Sequence, residues 1–206
     1  MSKFTGMTLG QKIEHFWFYY KWHTIGALFA AFALTVCLVQ CSMEEKADTT
    51  IGLYMDRQFT GSETDLLADV LSEYCEDTNG DGEVVVKIYD YSYLEIQQDQ
   101  LKQLNKEKIM TELTGGTCVM YITDDYQQKF FDEKDIPLET QYGKYVSLSE
   151  ENEILKKLTE KGFKNPQDLL FLIRKTENTV FETTNGKDKV ETLLKNPQKI
   201  LEAAAK

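Results

Sequence analysis

The sequence predicts an α/β protein in which one N-terminal transmembrane helix precedes a three-layer α/β domain with a mostly parallel, doubly wound sheet. Three observations predict this fold class. The stretch between Lys21 and Glu44 carries no formal charge, strand-like and helix-like patterns alternate after Thr50, and residues 118–122 form a strand pattern that is apolar on both faces. A strand of that last kind is typical of a parallel sheet covered by helices.

Charge is unevenly distributed along the 206 residues. The formal net charge is −11, of which residues 1–43 contribute +2 and residues 44–206 contribute −13. So acidic a domain repels phosphate backbones, which argues against nucleic-acid binding. Both histidines, His15 and His23, precede residue 44. The larger part of the chain therefore cannot perform Ser-His-Asp or Cys-His catalysis or hold a histidine-ligated metal.

The uncharged segment predicts a helix that crosses a bilayer. At about 1.5 Å per residue it reaches roughly 30 Å, the thickness of a hydrocarbon core. The aromatic run at 16–22 is typical of side chains at the headgroup level, and the lysines before the segment favour a cytoplasmic amino terminus. The sequence thus predicts four segments: a cytoplasmic and interfacial segment at 1–23, a transmembrane helix at 24–43, a connector at 44–50 and an extracellular domain at 51–206.

Two other interpretations of this segment stay open. A cleaved secretory signal needs a short basic region and an Ala-x-Ala-like site, and neither is present. A lipoprotein is suggested by residues 38–41, where Leu-Val-Gln-Cys resembles a lipobox with Cys41 as the lipidated residue. Gln40 stands where a small residue is expected. In the lipoprotein case the domain is also on the outer face of the membrane.

Apolar periodicity predicts the elements of the domain. The predicted strands are 50–55, 84–89, 118–122, 145–148 and 169–173, with 179–184 able to pair with the last of them. The predicted helices are 62–76, capped by Ser62 or Thr64, and then 94–113, 125–133, 150–160, 187–194 and 197–204. The order strand–helix–strand–helix–strand at the start predicts right-handed crossovers.

Carboxylates and a phenol follow the first three predicted strands. In doubly wound sheets, ligands bind beyond the carboxyl ends of the strands, where the strand order reverses. The candidate ligand-binding residues are therefore Asp56, Asp90, Tyr91, Asp124 and Asp125. Such a lining suits a small cationic or hydroxyl-rich molecule. Ordinary helix capping by these aspartates and the hydroxyl side chains beside them is the alternative explanation.

Residues 77–83, Asp-Thr-Asn-Gly-Asp-Gly-Glu, match the opening of a calcium loop. The candidate ligands to a calcium ion are Asp77, Asn79, Asp81 and Glu83. The twelfth position of the loop is Ile88, so the missing carboxylate has to come from elsewhere, for which Glu83, Glu73 and Glu76 are the candidates. A plain turn is the alternative, because Asn-Gly and Asp-Gly favour turns without an ion.

Two cysteines lie in the predicted domain, Cys75 on a helix and Cys118 in a strand. An outer location permits a disulfide between them. Separate thiols are the favoured interpretation, because Cα distances between a helix and a strand usually exceed the reach of a disulfide.

Taken together, several of these segments resemble uncharacterised single-pass membrane proteins of Gram-positive, clostridia-like bacteria, whose outer domain resembles a lobe of an extracellular solute-binding protein. The residues that carry the resemblance are the aromatic run 16–23, the strand with Gly52 and Tyr54, the loop 77–84 and the strand end 119–125. The 163 residues after Met43 leave no room for a second lobe of equal size.

The resemblance implies a membrane-anchored extracellular binding or adaptor module without catalytic activity. Its expected partners are the lipid bilayer, a neighbouring membrane or envelope protein and a small-molecule ligand. The alternative function is a carboxylate-dependent surface enzyme such as a glycoside hydrolase. That alternative requires two convergent acids in a deep pocket with an apolar wall.

Overall fold

The computed structural model of this chain describes residues 9–42, 47–94, 99–116, 118–177 and 179–206. They fall into two compact units, one before and one after residues 43–46. The first unit is helix α1 (Leu9–Ser42), on which Phe18, Trp22 and Phe29 are each more than 70% exposed. Within the residues that the structure describes, none of the helices combines the length with the hydropathy that a membrane span requires.

The second unit is an α/β domain. Its strands are β1 (Thr49–Tyr54), β2 (Val86–Asp90), β3 (Met120–Thr123), β4 (Val146–Ser147) and β5 (Leu170–Ile173). Its helices are α2 (Gly61–Ser72), α3 (Asp99–Gly115), α4 (Asp125–Glu133), α5 (Glu153–Glu160), α6 (Val180–Asn185) and α7 (Lys187–Ala204), with a 3₁₀ turn at Pro166–Asp168.

The five strands form one mixed sheet in the order β2-β1-β3-β5-β4. Strand β1 is parallel to both of its neighbours, and Ile51 lies opposite Ile88 on one side and Met120 on the other. Strand β5 runs antiparallel to β3 and to β4. Four strands therefore run in one direction and β5 runs in the other. The prediction of a mostly parallel sheet is confirmed for its centre, but it did not include the antiparallel direction of β5.

Helices cover both faces of the sheet and make three layers. On one face, Ile51 and Leu53 belong to a core with residues of α2, α5 and α7. On the other face, Tyr54 and Tyr121 pack with residues of α3 and α4. A Cβ atom at Gly52 would lie 2.4 Å from Cδ1 of Tyr121, so the tyrosine ring needs glycine on the neighbouring strand.

The chain reverses its direction of travel across the sheet between the first two crossovers. The first, through α2, takes it from β1 to the edge strand β2, and the second, through α3, brings it back past β1 to β3. Right-handed crossovers in opposite directions place their helices on opposite faces, as observed for α2 and α3.

The cap of helix α2 differs from the prediction. Thr60, rather than Ser62 or Thr64, is the N-cap, and Glu63 closes a capping box with it. The Thr60 hydroxyl accepts a hydrogen bond from the backbone of Glu63, whose carboxylate accepts one from the backbone of Thr60. The pattern Thr-x-x-Glu is therefore what starts this helix.

The prediction of a strand at 179–184 is wrong, because these residues begin helix α6. Thr179 is its N-cap and Phe181 is fully buried. The expected partner, β5, already pairs with β3 on one side and β4 on the other, so it offers no free edge. The backbone at 179–184 satisfies its hydrogen bonds locally instead.

Helix α7 is continuous over 18 residues, although two helices were predicted at 187–194 and 197–204. Pro197 lies inside it and removes one helical N–H donor. Buried Asn196 lies next to this proline, and its side chain exchanges hydrogen bonds with the backbone N–H and C=O of Glu76. Ile200 and Leu201 are buried one turn further on, so contacts with the rest of the domain hold the helix together across the proline.

Candidate functional site

A crevice of about 600 Å³ lies at the carboxyl ends of β1 and β3, the two strands between which the strand order reverses. Three of the five predicted ligand-binding residues line it, namely Asp56, Asp124 and Asp125. Asp168, from the 3₁₀ turn before β5, brings a fourth carboxylate to the same crevice. The topological position matches the rule that predicted a site here.

Asp124 joins the end of β1 to the start of α4. Its Oδ1 accepts a hydrogen bond of 2.8 Å from the backbone of Gln127, and its Oδ2 accepts one of 2.7 Å from the backbone of Asp56. Burial raises the pKa of Asp124, and the neighbouring Asp56 carboxylate adds to this effect, against the lowering effect of the two hydrogen bonds. Asp124 is thus both the N-cap of α4 and a wall of the crevice.

The residues best placed to meet a ligand are exposed ones. Asp125 and Asp168 are both exposed, and Tyr126 is 56% exposed at the rim of the crevice. The apolar pattern of residues 125–133 predicts that Tyr126 faces inward with Phe130 and Phe131. Only the two phenylalanines contact the core, because Gln127 and Phe131, rather than Tyr126, are the buried positions of this short helix.

Arg57 also lines the crevice, but its guanidinium binds other groups. Its Nη2 donates to Glu63 Oε1 at 2.9 Å, and its Nη1 donates to the carbonyl oxygen of Lys164 at 2.6 Å. The guanidinium carbon lies 4.1 Å from the centre of the Phe59 ring and 5.2 Å from that of Phe163. Arg57 therefore ties the loop after β1 to the loop that precedes the 3₁₀ turn.

The other two predicted residues, Asp90 and Tyr91, lie at the carboxyl end of β2 and do not line this crevice. Asp90 Oδ1 accepts a hydrogen bond from the backbone of Ser92. The Tyr91 hydroxyl donates to Glu112 in a separate groove of about 440 Å³ beside α3, and burial raises the pKa of this phenol. They lie apart because β2 is the edge strand, on the side of β1 away from β3.

In the loop 77–83, the side-chain oxygens bind the loop's own backbone. Asp77 accepts hydrogen bonds from the backbone N–H groups of Gly80 and Gly82, both of which have positive φ angles. Asn79 accepts one from Asp81, which in turn accepts one from Glu83. Within the part of the chain that the structure describes, no group of three or more His, Cys, Asp or Glu side chains is arranged to hold a metal ion.

Asp48, which belongs to no recognisable sequence motif, binds this loop to the rest of the domain. It is 4% exposed, and its Oδ1 accepts hydrogen bonds from the backbones of Thr78 and Asn79, at 2.7 and 3.1 Å. Its Oδ2 accepts one from the backbone of Val85. Burial works against ionisation of Asp48, but these hydrogen bonds outweigh it and lower its pKa. Nothing in the local pattern around residue 48 indicates this role.

Cys75 and Cys118 are both free thiols, as favoured from the sequence. Cys75 packs at the margin of the core on one face of the sheet, whereas Cys118 belongs to the core on the other face. Burial raises the pKa of Cys75 to about 12 and that of Cys118 higher still, so neither is a reactive thiolate at neutral pH.

Comparisons of this chain with protein-family profiles, with curated proteins and with solved structures find no match. The candidate site is therefore defined by its geometry: an open crevice at the strand-order reversal, with four carboxylates and an exposed tyrosine on its walls.

Proposed function

We propose that this protein is a membrane-anchored extracellular binding module, without catalytic activity, whose crevice binds a small molecule. The observation that carries the proposal is the position and charge of the crevice. It lies where α/β sheets bind ligands, and its walls carry Asp56, Asp124, Asp125 and Asp168. Its volume of about 600 Å³ is within the usual range for small-molecule sites.

The anchor is proposed from α1 and its flanking charges. The uncharged residues 22–43 follow three lysines and precede Glu44 and Glu45, a distribution that favours a cytoplasmic amino terminus. Large apolar side chains along α1, among them Leu28 and Phe32 at 67% exposure each, have no cover within the described chain. A lipid bilayer would remove this apolar surface from water.

A binding role is favoured over a carboxylate-dependent enzyme by the positions of the acids in the crevice. Asp124 has both oxygens engaged by backbone N–H groups, so its carboxylate serves as the N-cap of α4 and as a link to the end of β1. The remaining carboxylates include the exposed Asp125 and Asp168. An exposed carboxylate lacks the apolar wall that surrounds the general acid of a glycoside hydrolase.

The test is a ligand screen on the full chain in detergent micelles. A panel of small organic cations and a panel of neutral sugars and polyols are added separately, and binding is followed by thermal shift and by backbone amide NMR shifts. The proposal expects at least one panel to shift the amides of residues 124–126 and 168. It expects the double variant Asp125→Asn/Asp168→Asn to weaken binding, while Asp65→Asn, an exposed aspartate on α2, leaves it unchanged.

Two outcomes contradict the proposal. Absence of any shift at the crevice with either panel removes the binding function. Release of reducing sugar from an oligosaccharide in the panel, abolished by Asp125→Asn/Asp168→Asn, would show that the crevice catalyses hydrolysis.

A neighbouring membrane or envelope protein remains the proposed macromolecular partner, and crosslinking in intact cells tests it separately.

A further inference from the structure

We infer that Glu63 strengthens the preference of the crevice for small organic cations over neutral molecules, because it binds Arg57 and keeps the guanidinium from offsetting the charge of the aspartates. This inference rests on the proposed binding function and adds to it a ligand class and a residue that controls specificity. Glu63 itself does not line the crevice and acts through Arg57.

The charge balance of the crevice depends on one side chain. Among the described residues that line it, four are aspartates and only Arg57 is basic. A guanidinium is always charged at neutral pH. If the guanidinium of Arg57 faced the aspartates, it would offset part of their negative charge. The affinity of the crevice for a cation would then exceed its affinity for a neutral ligand by less.

Arg57 is held against Glu63 by several contacts. The ion pair has an N–O distance of 2.9 Å, and the two side chains are only 18% and 14% exposed. A pair so little exposed is screened less than one on the open surface. The Phe59 ring at 4.1 Å and the carbonyl of Lys164 at 2.6 Å support the same orientation of the guanidinium.

Glu63 is fixed in place independently of Arg57. Its Oε2 accepts hydrogen bonds of 3.0 Å from both the backbone N–H and the hydroxyl of Thr60, which makes it half of the α2 capping box. Burial works against its ionisation, but the Thr60 hydrogen bonds and the charge of Arg57 outweigh this and lower its pKa. Glu63 is therefore a preorganised anion, ionised at neutral pH, facing Arg57.

The experiment compares putrescine, a diamine that is doubly charged at neutral pH, with 1,4-butanediol, its neutral counterpart of similar length. The full chain in detergent micelles is titrated with each by calorimetry, and backbone amide NMR shifts locate the binding. The variants are Glu63→Gln, Arg57→Gln and the two combined. Glutamine at the third helical position still closes a capping box, so Glu63→Gln removes the charge and keeps the helix start. The matched control is Glu73→Gln, at the other end of α2, where Glu73 pairs with Lys157.

The wild-type protein is expected to bind putrescine in the crevice and to bind butanediol far more weakly. Glu63→Gln should weaken putrescine binding about two- to fivefold, the usual size of one weakly screened charge interaction. In the Arg57→Gln background the same Glu63→Gln change should have little effect, because Glu63 acts through Arg57. Glu73→Gln should leave the affinity unchanged.

A readout that needs no ligand accompanies the titration. The carboxyl ¹³C shifts of the crevice aspartates are followed against pH, and Glu63→Gln should lower the pKa of Asp124, since the charge of Arg57 then acts on the crevice. The inference is overturned if putrescine binds wild type and Glu63→Gln equally, or if Glu63→Gln has the same effect with and without Arg57. It is also overturned, with the binding function intact, if neutral polyols bind the crevice and putrescine does not. If nothing binds there, the proposed function itself fails.

Discussion

The carboxylate of Asp48 and the backbone N–H of Thr78 are joined by a 2.7 Å hydrogen bond across 30 residues of chain. Asp48 immediately precedes β1, and Thr78 belongs to the glycine-rich loop between α2 and β2. Together with the hydrogen bonds that it accepts from the backbones of Asn79 and Val85, this one buried side chain fixes the chain segments that lead into the neighbouring strands β1 and β2. The loop therefore has a structural anchor that does not depend on any ion.

Asp48→Asn is expected to reduce the free energy of unfolding by about 2–3 kcal/mol at pH 7, since an amide has one acceptor oxygen and leaves a buried N–H without a partner. Because folding lowers the pKa of Asp48, its stabilising effect is present above the unfolded-state pKa and is lost as the pH falls through the folded-state value. The difference between wild type and variant should therefore shrink below about pH 4. Urea unfolding at pH 7 and at pH 3 measures both effects.

The control for this prediction is Asp65→Asn, which changes the same charge at an exposed position of α2. Its effect should stay within about 0.5 kcal/mol. An Asp48→Asn protein with wild-type stability at pH 7 would show that these hydrogen bonds make no net contribution.

Asn152 connects two helix ends, and Asn152→Ala is expected to destabilise the domain by about 2–4 kcal/mol. Its Oδ1 accepts from the backbone of Ile154 as the N-cap of α5, and its Nδ2 donates to the carbonyls of Ala203 and Ala204 at the end of α7. The side chain is 2% exposed, so water does not replace these hydrogen bonds. Chemical unfolding followed by circular dichroism gives the value.

Asn152→Ser separates the two contributions. Serine is a good N-cap but cannot reach α7, so its stability should lie between those of wild type and Asn152→Ala. Equal stability of the serine and alanine variants would assign the whole effect to the carbonyls of α7.

Calcium binding by the loop 77–83 stays a prediction from the sequence. If the loop binds calcium in the folded state alone, a free concentration of about a hundred times the dissociation constant adds roughly 2.7 kcal/mol to stability. We expect calcium to raise the melting temperature of the full chain more than magnesium does. Differential scanning calorimetry in calcium, magnesium and chelator measures the difference.

The variant for the calcium test is Asp77→Asn/Asp81→Asn. Asparagine removes the charges that a calcium ion needs and keeps one acceptor oxygen at each position. Asp77→Asn loses one of the two turn hydrogen bonds of Asp77, but water can replace it at this exposed site, so the turn should survive and the calcium effect should disappear. Identical melting of the wild-type protein in calcium and in chelator would leave the loop as a turn held by Asp48.

The proposed topology predicts that protease added to intact cells removes a carboxyl-terminal tag and spares an amino-terminal one. The reason is the charge asymmetry on the two sides of residues 22–43. Loss of the amino-terminal tag with retention of the other would reverse the orientation. Both tags should be cleaved after detergent permeabilisation, which is the control for accessibility.

The lipoprotein interpretation makes a different prediction about the same segment. The side chain of Cys41 lies outside the residues whose side chains the structure describes. Growth with a clickable fatty acid should label the protein only if Cys41 is lipidated, and Cys41→Ala should then abolish the label. The matched control is Cys37→Ala, which should keep the label if Cys41 is the lipidated residue. If the wild-type protein is not labelled, the transmembrane helix stays the proposed attachment to the membrane.

The sequence alone predicted the centre of the domain well. The apolar runs of β1 and β3, the intervening helices and the parallel pairing were all predicted, because periodic apolar residues report which faces of a local segment are buried. The same reasoning placed Asp56, Asp124 and Asp125 at one edge, since parallel strands that are neighbours end at the same edge of a sheet.

The features that could not be predicted depend on partners distant in the chain. Three of these features follow from the strand edges and cavities that the rest of the fold leaves available. They are the direction of β5, the helical state of 179–184 and the position of Asp168 in the crevice. The pairing of Arg57 with Glu63 and the burial of Asp48 belong to the same class. A local pattern records which apolar side chains are buried. The burial of a polar side chain and the neighbour that it contacts depend on long-range packing, where hydrogen bonds and charges are satisfied across the whole domain.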